Sequence, residues 1–410
     1  MTPRLLLRAP LVVAAVGAVA IALTVLPQQA TSSPGAPTDQ VGTWGTAVDT
    51  TTLELTDRTV RNVVHTSVGG TNLRVSLSNA FGSGAATFDS VWAGTAGTGA
   101  TVVAGTNRRV TFSGSTSVTV PPGAEVLSDP LPGEVPARST LAVSVHAVGD
   151  PGTVTGHRLA HQRSWVSAPG DHAQDESSTA YATATTSWAW VEALVVETPE
   201  QVDTVVTFGD SITDGDRSTT GANRRWPDVL AQRLLRQPAP KHLGVMNAGI
   251  SGNRVLTDGS GQSAQARFDR DVLAQPDVST VVLMEGVNDL RWDLATTPAD
   301  LIGPYRQLVA RAHARGVCVV GGTIPPWEGG SRWAPAKDDV REAVNAWIRG
   351  SGELDAVVDF DAAIRDPQRP ARMLPAYDSG DHLHPGDAGY AAMAAAVDLD
   401  ELECHRASAP

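Results

Sequence analysis

Two kinds of hydrophobic pattern divide the chain. From about residue 41 to 197, apolar and polar positions alternate in short runs at 59–66, 72–79, 109–112, 117–120, 139–146 and 188–196, separated by Gly, Pro, Asn and Ser. A period of two predicts strands rather than helices. In 72–79, Leu73, Val75 and Leu77 share one face, and Gly69-Gly70 marks a turn before them, so 59–66 and 72–79 are expected to pair as a hairpin. Many short strands with frequent turns predict an all-β sandwich of jelly-roll type. The polar stretch 168–179 reads as an exposed loop.

From about residue 201 the period changes. Strand-like runs at 203–208, 243–247, 279–284, 317–321 and 356–360 alternate with helical stretches at 226–236, 262–273, 298–315, 337–349 and 387–397. Pro227 suits the first turn of its helix and Gly316 a C-terminal stop. Repeated β-α units predict an α/β domain, a parallel sheet covered by helices on both faces. The switch falls at 198–200. The expected organisation is a leader at 1–30, a linker at 31–40, a β-sandwich at 41–198 and an α/β domain at 199–406.

The first thirty residues modify that picture. Arg4 and Arg8 precede an uncharged apolar run at 11–26, and Ala30 precedes a polar Ser/Pro/Gly stretch, which reads as a secretory leader and places the mature protein outside the cell. A membrane anchor is the rival reading, because the run is near the low end of spanning length. Export permits a disulfide between the two cysteines, Cys318 and Cys404; a buried free Cys318 with a frayed tail is the alternative. The formal charge of −13 argues against nucleic acid and anionic membrane surfaces as partners, since both select for basic patches. No stable membrane partner is expected once the leader is removed.

Candidate chemistry collects where an open α/β sheet holds ligands, at the carboxyl ends of the strands. Gly209-Asp210-Ser211 follows the apolar run 205–208; Asn247 to Asn253 (NAGISGN) follows the second run; Glu285 to Asp289 (EGVND) follows the third; and Asp381-His382-Leu383-His384-Pro385 precedes the last helix. A Ser hydroxyl is a poor nucleophile without a base. Ser211 is the candidate nucleophile, His384 the general base that takes and returns its proton, and Asp381 the group that fixes the His384 tautomer. The backbone N–H groups of Ser211 and Gly252 and the side-chain amide of Asn288 are the candidate oxyanion donors. Trp327 and Trp333, in the Pro-rich loop 325–335, are candidates for a substrate wall.

These four blocks, in this order, resemble the SGNH hydrolases, also called the GDSL esterase/lipase family. GDSIT carries Ser211, NAGISGN carries Gly252, GVND carries Asn288, and DHLHP carries Asp381 and His384. The resemblance covers about 204–398. It implies a flavodoxin-like three-layer α/β/α domain, hydrolysis of esters, and no metal or other cofactor. The preceding half resembles, more loosely, the accessory β domain of some secreted members and of some carbohydrate esterases. The implied substrate is an ester, first an O-acetyl group on a polysaccharide, with lipase, phospholipase or broad carboxylesterase as the alternative. A zinc site at Asp378, Asp381, His382 and His384 competes, but leaves Ser211 and Asn288 without a task. A different class of reading makes the β region a glycan-binding module, its tryptophans (Trp44, Trp92, Trp165, Trp188, Trp190) stacking on sugar rings; the core is the other place for them.

Overall fold

The computed structural model describes residues 39–199 and 202–403. The leader, nearly all of the linker and Cys404 lie outside the described residues. Cys318 is disulfide-bonded. Among the described residues no helix is long and apolar enough to cross a membrane.

The first half is all antiparallel. One sheet runs in the order Asp39–Gly45, Val191–Thr198, Gly70–Ser78, Glu125–Leu127, with Leu131–Val135 also pairing with Gly70–Ser78. A second runs Thr183–Thr185, Ser164–Pro169, Arg58–His65, Thr140–Ala147, Ala86–Thr95, Arg108–Arg109. Val41, Val75, Leu77 and Val196 of the first sheet pack with Val60, Val91 and Val143 of the second in one core, so the two form a sandwich. Trp44, Trp188 and Trp190 belong to that core and present no face for a sugar.

One pairing expectation is overturned. Arg58–His65 and Gly70–Ser78 are not a hairpin; they lie in different sheets. Alternation shows which side of a strand is buried, and both strands do face the shared core. It does not show whether the connection turns within a sheet or crosses between two. Here it crosses.

The second half contains a five-stranded parallel sheet in the order Gly244–Gly249, Thr204–Gly209, Val278–Met284, Cys318–Gly322, Ala356–Val358. By chain order this is 2-1-3-4-5, the flavodoxin-like winding. Alternate residues of each strand feed opposite layers. Val206, Phe208, Val281 and Leu283 pack under Phe268, Leu301, Leu308, Val344 and Ile348. Val205, Val282 and Met284 pack under Trp226, Leu230, Tyr390 and Met393. Burial of each such side chain contributes roughly 1.5–3 kcal/mol. The predicted strand at 356–360 ends early, because Asp359 caps a short helix, Phe360–Ile364, through Ala362 N–H. The expected helix at 262–273 is Ala264–Phe268 continued by a π-helical turn, Asp269–Leu273.

The two halves meet along the sheet edge formed by Gly244–Gly249. Gly42 N–H donates to Thr204 Oγ1 (3.0 Å), Val245 N–H donates to Ser67 Oγ (3.0 Å), and Thr46 bridges Asn247 in parallel. An exposed edge invites unwanted pairing; here the antiparallel half covers it.

Candidate active site

Thr204–Gly209 and Val278–Met284 are adjacent and flank the point where the winding reverses, so the loops after them open into the same crevice. Gly209 ends the first strand in a tight place. A Cβ there would stand 2.2 Å from the Met284 carbonyl oxygen and 2.4 Å from Thr213 Oγ1. Asp210 then caps a four-residue helix, Ser211–Asp214, by accepting from Ile212 N–H (2.9 Å), and Gly215 closes it at φ +99°.

Ser211 stands at the start of this helix, 4% exposed, and its Oγ lies 2.8 Å from His384 Nε2. His384 Nδ1 lies 2.8 Å from Asp381 Oδ2. Asp381 Oδ1 accepts from the N–H groups of Leu383 (3.0 Å) and His384 (2.9 Å), which fixes the carboxylate relative to the ring. Burial pulls the Asp381 carboxyl up, but hydrogen bonds from the His384 ring and backbone outweigh it and hold it well below the ordinary range. An ionised carboxylate only accepts, so the proton on His384 sits at Nδ1 and the Nε2 lone pair faces Ser211. Arg217 Nε reaches Asp381 Oδ2 (3.1 Å), and Asp216 Oδ2 lies 3.7 Å from His384 Nε2.

The other two sequence candidates lie in segments tied together through Asn253. Gly252 has φ +83°, a conformation that favours glycine, in the loop after Gly244–Gly249. Asn288 is buried in the short helix Val287–Arg291; its Nδ2 donates to Asn253 O (2.9 Å), and its Oδ1 accepts from Arg291 Nη1 (2.9 Å). The amide is thereby oriented, with one of its two N–H bonds engaged and the second left for another acceptor. Asp289 holds the same loop by accepting from Val255 and Leu256 N–H.

One expectation changes. Trp327 is fully buried (0% exposed) in the helical layer's core, so it cannot wall a substrate site. A Trp in a Pro-rich loop after a strand looks exposed in sequence, but the loop folds back onto the sheet. Trp333 is half-buried against the same core. The residues of the competing zinc reading fall into two pairs: His382 Nδ1 bonds Asp378, while His384 bonds Asp381. Among the described residues no group of three or more His, Cys, Asp or Glu is gathered for a metal ion.

Three features were missed. Trp292, 44% exposed, follows the Asn288 helix, with Arg332 stacked 3.9 Å from its ring and Arg254 at 5.8 Å. Arg267, fully buried, donates to the carbonyls of Gly209 (2.9 Å) and Ala248 (2.7 Å) and to Asn253 Oδ1 (2.9 Å), joining two of the loops from below. Beside it, burial pushes Asp210 up to about 6 and Glu285 well above the carboxylate range. Asp214, the fourth residue of the Ser211 helix, is bonded to His157 of the antiparallel half. None of these carries a local sequence signal, because each depends on residues distant in the chain.

Residues 207–392 match the model of the GDSL-like Lipase/Acylhydrolase family. No curated protein matches the chain. Among solved structures, it is similar to an acetylxylan esterase from Geobacillus stearothermophilus, with 25% identity and a TM-score of 0.38, over 50% of this chain and 95% of that one. It is also similar to an alpha/beta hydrolase enzyme from the metagenome of Lake Arreo, Spain, with 24% identity and a TM-score of 0.39, over 50% of this chain and 97% of that one. The class is thus an ester hydrolase on a parallel α/β sheet, preceded by an antiparallel all-β region. Residues 207–392 are a GDSL-like lipase/acylhydrolase domain, of the family that the four sequence blocks resemble.

Proposed function

We propose that the chain hydrolyses carboxylic esters through an acyl-enzyme on Ser211. The observation that carries this reading is the line Ser211 Oγ, His384 Nε2 and Nδ1, Asp381 Oδ2, with 2.8 Å at each junction. His384 Nε2 takes the Ser211 proton as Oγ attacks the ester carbonyl. The resulting oxyanion is held by the N–H groups of Ser211 and Gly252 and by the free Asn288 amide N–H. His384 returns the proton to the departing alkoxide. Water then enters, His384 takes its proton, and attack on the acyl carbon releases the acid and Ser211. Asp381 stays ionised and stabilises the imidazolium formed in each half.

The substrate we propose is an O-acetyl ester of a polysaccharide, met outside the cell as the apolar leader implies. Of the large apolar side chains exposed among the described residues, Val103, Leu127, Val148 and Leu159 lie in the antiparallel half, leaving Trp292 beside the Asn288 helix. One aromatic face flanked by Arg254 and Arg332 suits a sugar ring better than a long acyl chain. Trp333 remains a candidate for the rim. The test is hydrolysis of p-nitrophenyl acetate, butyrate, octanoate and palmitate by wild type and Ser211→Ala. Turnover should fall at least about 10³-fold in the variant, with acetate the best substrate of wild type. Full activity in Ser211→Ala would overturn the mechanism, and preference for palmitate would overturn the polysaccharide reading.

A further inference from the structure

The Ser211 helix and the Gly252 loop are held side by side by one carboxylate. Asp214 Oδ2 accepts from both Ser251 N–H (2.9 Å) and Ser251 Oγ–H (2.8 Å). Asn247 Nδ2 donates to Thr213 O (2.9 Å), and a Cβ at Gly249 would lie 2.2 Å from Asp214 N, so the helix packs directly on the strand end. The other carboxylate oxygen, Oδ1, is met by His157 Nε2 at 3.0 Å. His157 is 4% exposed, Asp214 2%. His157 comes from the strand Thr155–His157 of the antiparallel half, and its Nδ1 lies 2.8 Å from the Ala47 carbonyl.

A carbonyl only accepts, so Nδ1 carries a proton. An ionised carboxylate only accepts, so Nε2 carries one too. The imidazole is therefore a buried cation paired with a buried anion. Burial works against the charge, but Asp214 and the Ala47 carbonyl outweigh it and raise the His157 pKa; the same pairing lowers that of Asp214 against its own burial. Arg225, His161 and the Asp49–Arg158 pair are the other charged or titratable groups around it. An apolar pair of similar volume would hold two surfaces together with less desolvation. What an ion pair adds is a fixed direction: it aims Oδ2 at the Ser251 N–H, one residue before Gly252.

We propose that His157 is a positioning residue for ester hydrolysis, holding Asp214 so that the Ser251–Gly252 turn presents the Gly252 N–H to the oxyanion. The antiparallel half is then part of the hydrolytic apparatus and not only a neighbouring module. The proposal rests on the acyl-enzyme reading above.

The test uses full-length protein and p-nitrophenyl acetate, comparing wild type, His157→Gln, His157→Leu, Gly252→Ala, the His157→Gln/Gly252→Ala double variant and Ser211→Ala. His157→Gln keeps a donor for Asp214 but no charge. It should lower kcat about 10–100-fold, the scale expected for a misplaced group, with KM within about threefold; His157→Leu should lose more. The double variant should lose less than the product of the two single losses, since both act through one N–H. Unchanged kcat in His157→Gln, or a change confined to KM, overturns the proposal, as does a double-variant loss equal to that product. If His157→Leu does not fold, shown by its circular dichroism melt, the Gln variant and the cycle decide. Ser211→Ala separates the two claims: if it is inactive while His157→Gln keeps its kcat, the positioning role alone fails.

Discussion

Glu192 is 3% exposed on the strand Val191–Thr198, and its Oε2 has no hydrogen-bond partner among the described residues. Burial pushes its carboxyl well above the usual range, and Glu125 and Asp271 push the same way against Arg270. In the unfolded chain the same group ionises near pH ~4.3. Above that pH the native state binds the extra proton, so stability falls as pH rises from there toward the folded pKa. Gln carries no such term. Glu192→Gln should therefore raise Tm at pH 8 by about 2–4 °C and leave Tm at pH 4 near that of wild type. Melts at the two pH values check this; equal shifts at both would place the effect in packing instead of protonation.

At the level of elements, the loops of the site are fixed by what lies beneath them. Arg267 satisfies the carbonyls at the ends of two parallel strands, Gly209 and Ala248, and also Asn253 Oδ1. It rests 3.9 Å from the Phe208 ring and pairs with Asp271 (3.0 Å), which Arg270 also holds (2.7 Å). Arg267→Met keeps most of the volume and takes the guanidinium donors from Ala248 O, Asn253 Oδ1 and Asp271 Oδ2, at about 1–3 kcal/mol each, while Gly209 O keeps Ile250 N–H. The expected loss is about 3–5 kcal/mol in urea unfolding, with kcat falling in the folded fraction; a loss under about 1 kcal/mol would mean that water replaces the guanidinium. The sequence showed the strands above this clamp plainly. Apart from Thr207 and Thr280, runs such as 205–208 and 279–284 are apolar at every buried position, as expected of a sheet covered on both faces. It also showed Ser211, Asp381 and His384, because local spacing places them at strand and helix ends. Arg267 could not be read this way: a lone Arg in a helical stretch usually faces water, and its partners come from three separate segments. The mispaired strands 59–66 and 72–79, and the buried Trp327, have the same cause. Pattern reports burial of a face, while partnership is decided by tertiary closure.

For the whole molecule, the seam between the antiparallel half and the edge of the parallel sheet runs from Gly42 over Gly244, through Thr46 and Asn247, to His157 and Asp214. The described residues form one compact unit. At the start of the seam a Cβ on Gly244 would stand 2.3 Å from the Gly42 carbonyl oxygen, a backbone atom that no rotamer change can move. Gly350, at the end of the helix Pro335–Gly350, would place its Cβ in open space. Gly244→Val should therefore lower Tm by several degrees, and because the seam ends at Asp214, kcat for p-nitrophenyl acetate should fall with it. Gly350→Ala should hold or slightly raise Tm, by at most about 1 kcal/mol of stability, with kcat unchanged. Thermal melts and steady-state kinetics on the two variants compare crowding at the seam with the mere loss of a glycine. If Gly244→Val melts and turns over like Gly350→Ala, the seam adapts to the added bulk, and contact between the halves is looser than a 2.3 Å approach allows. If Tm falls while kcat holds, the seam stabilises the fold but does not reach the site through its far end.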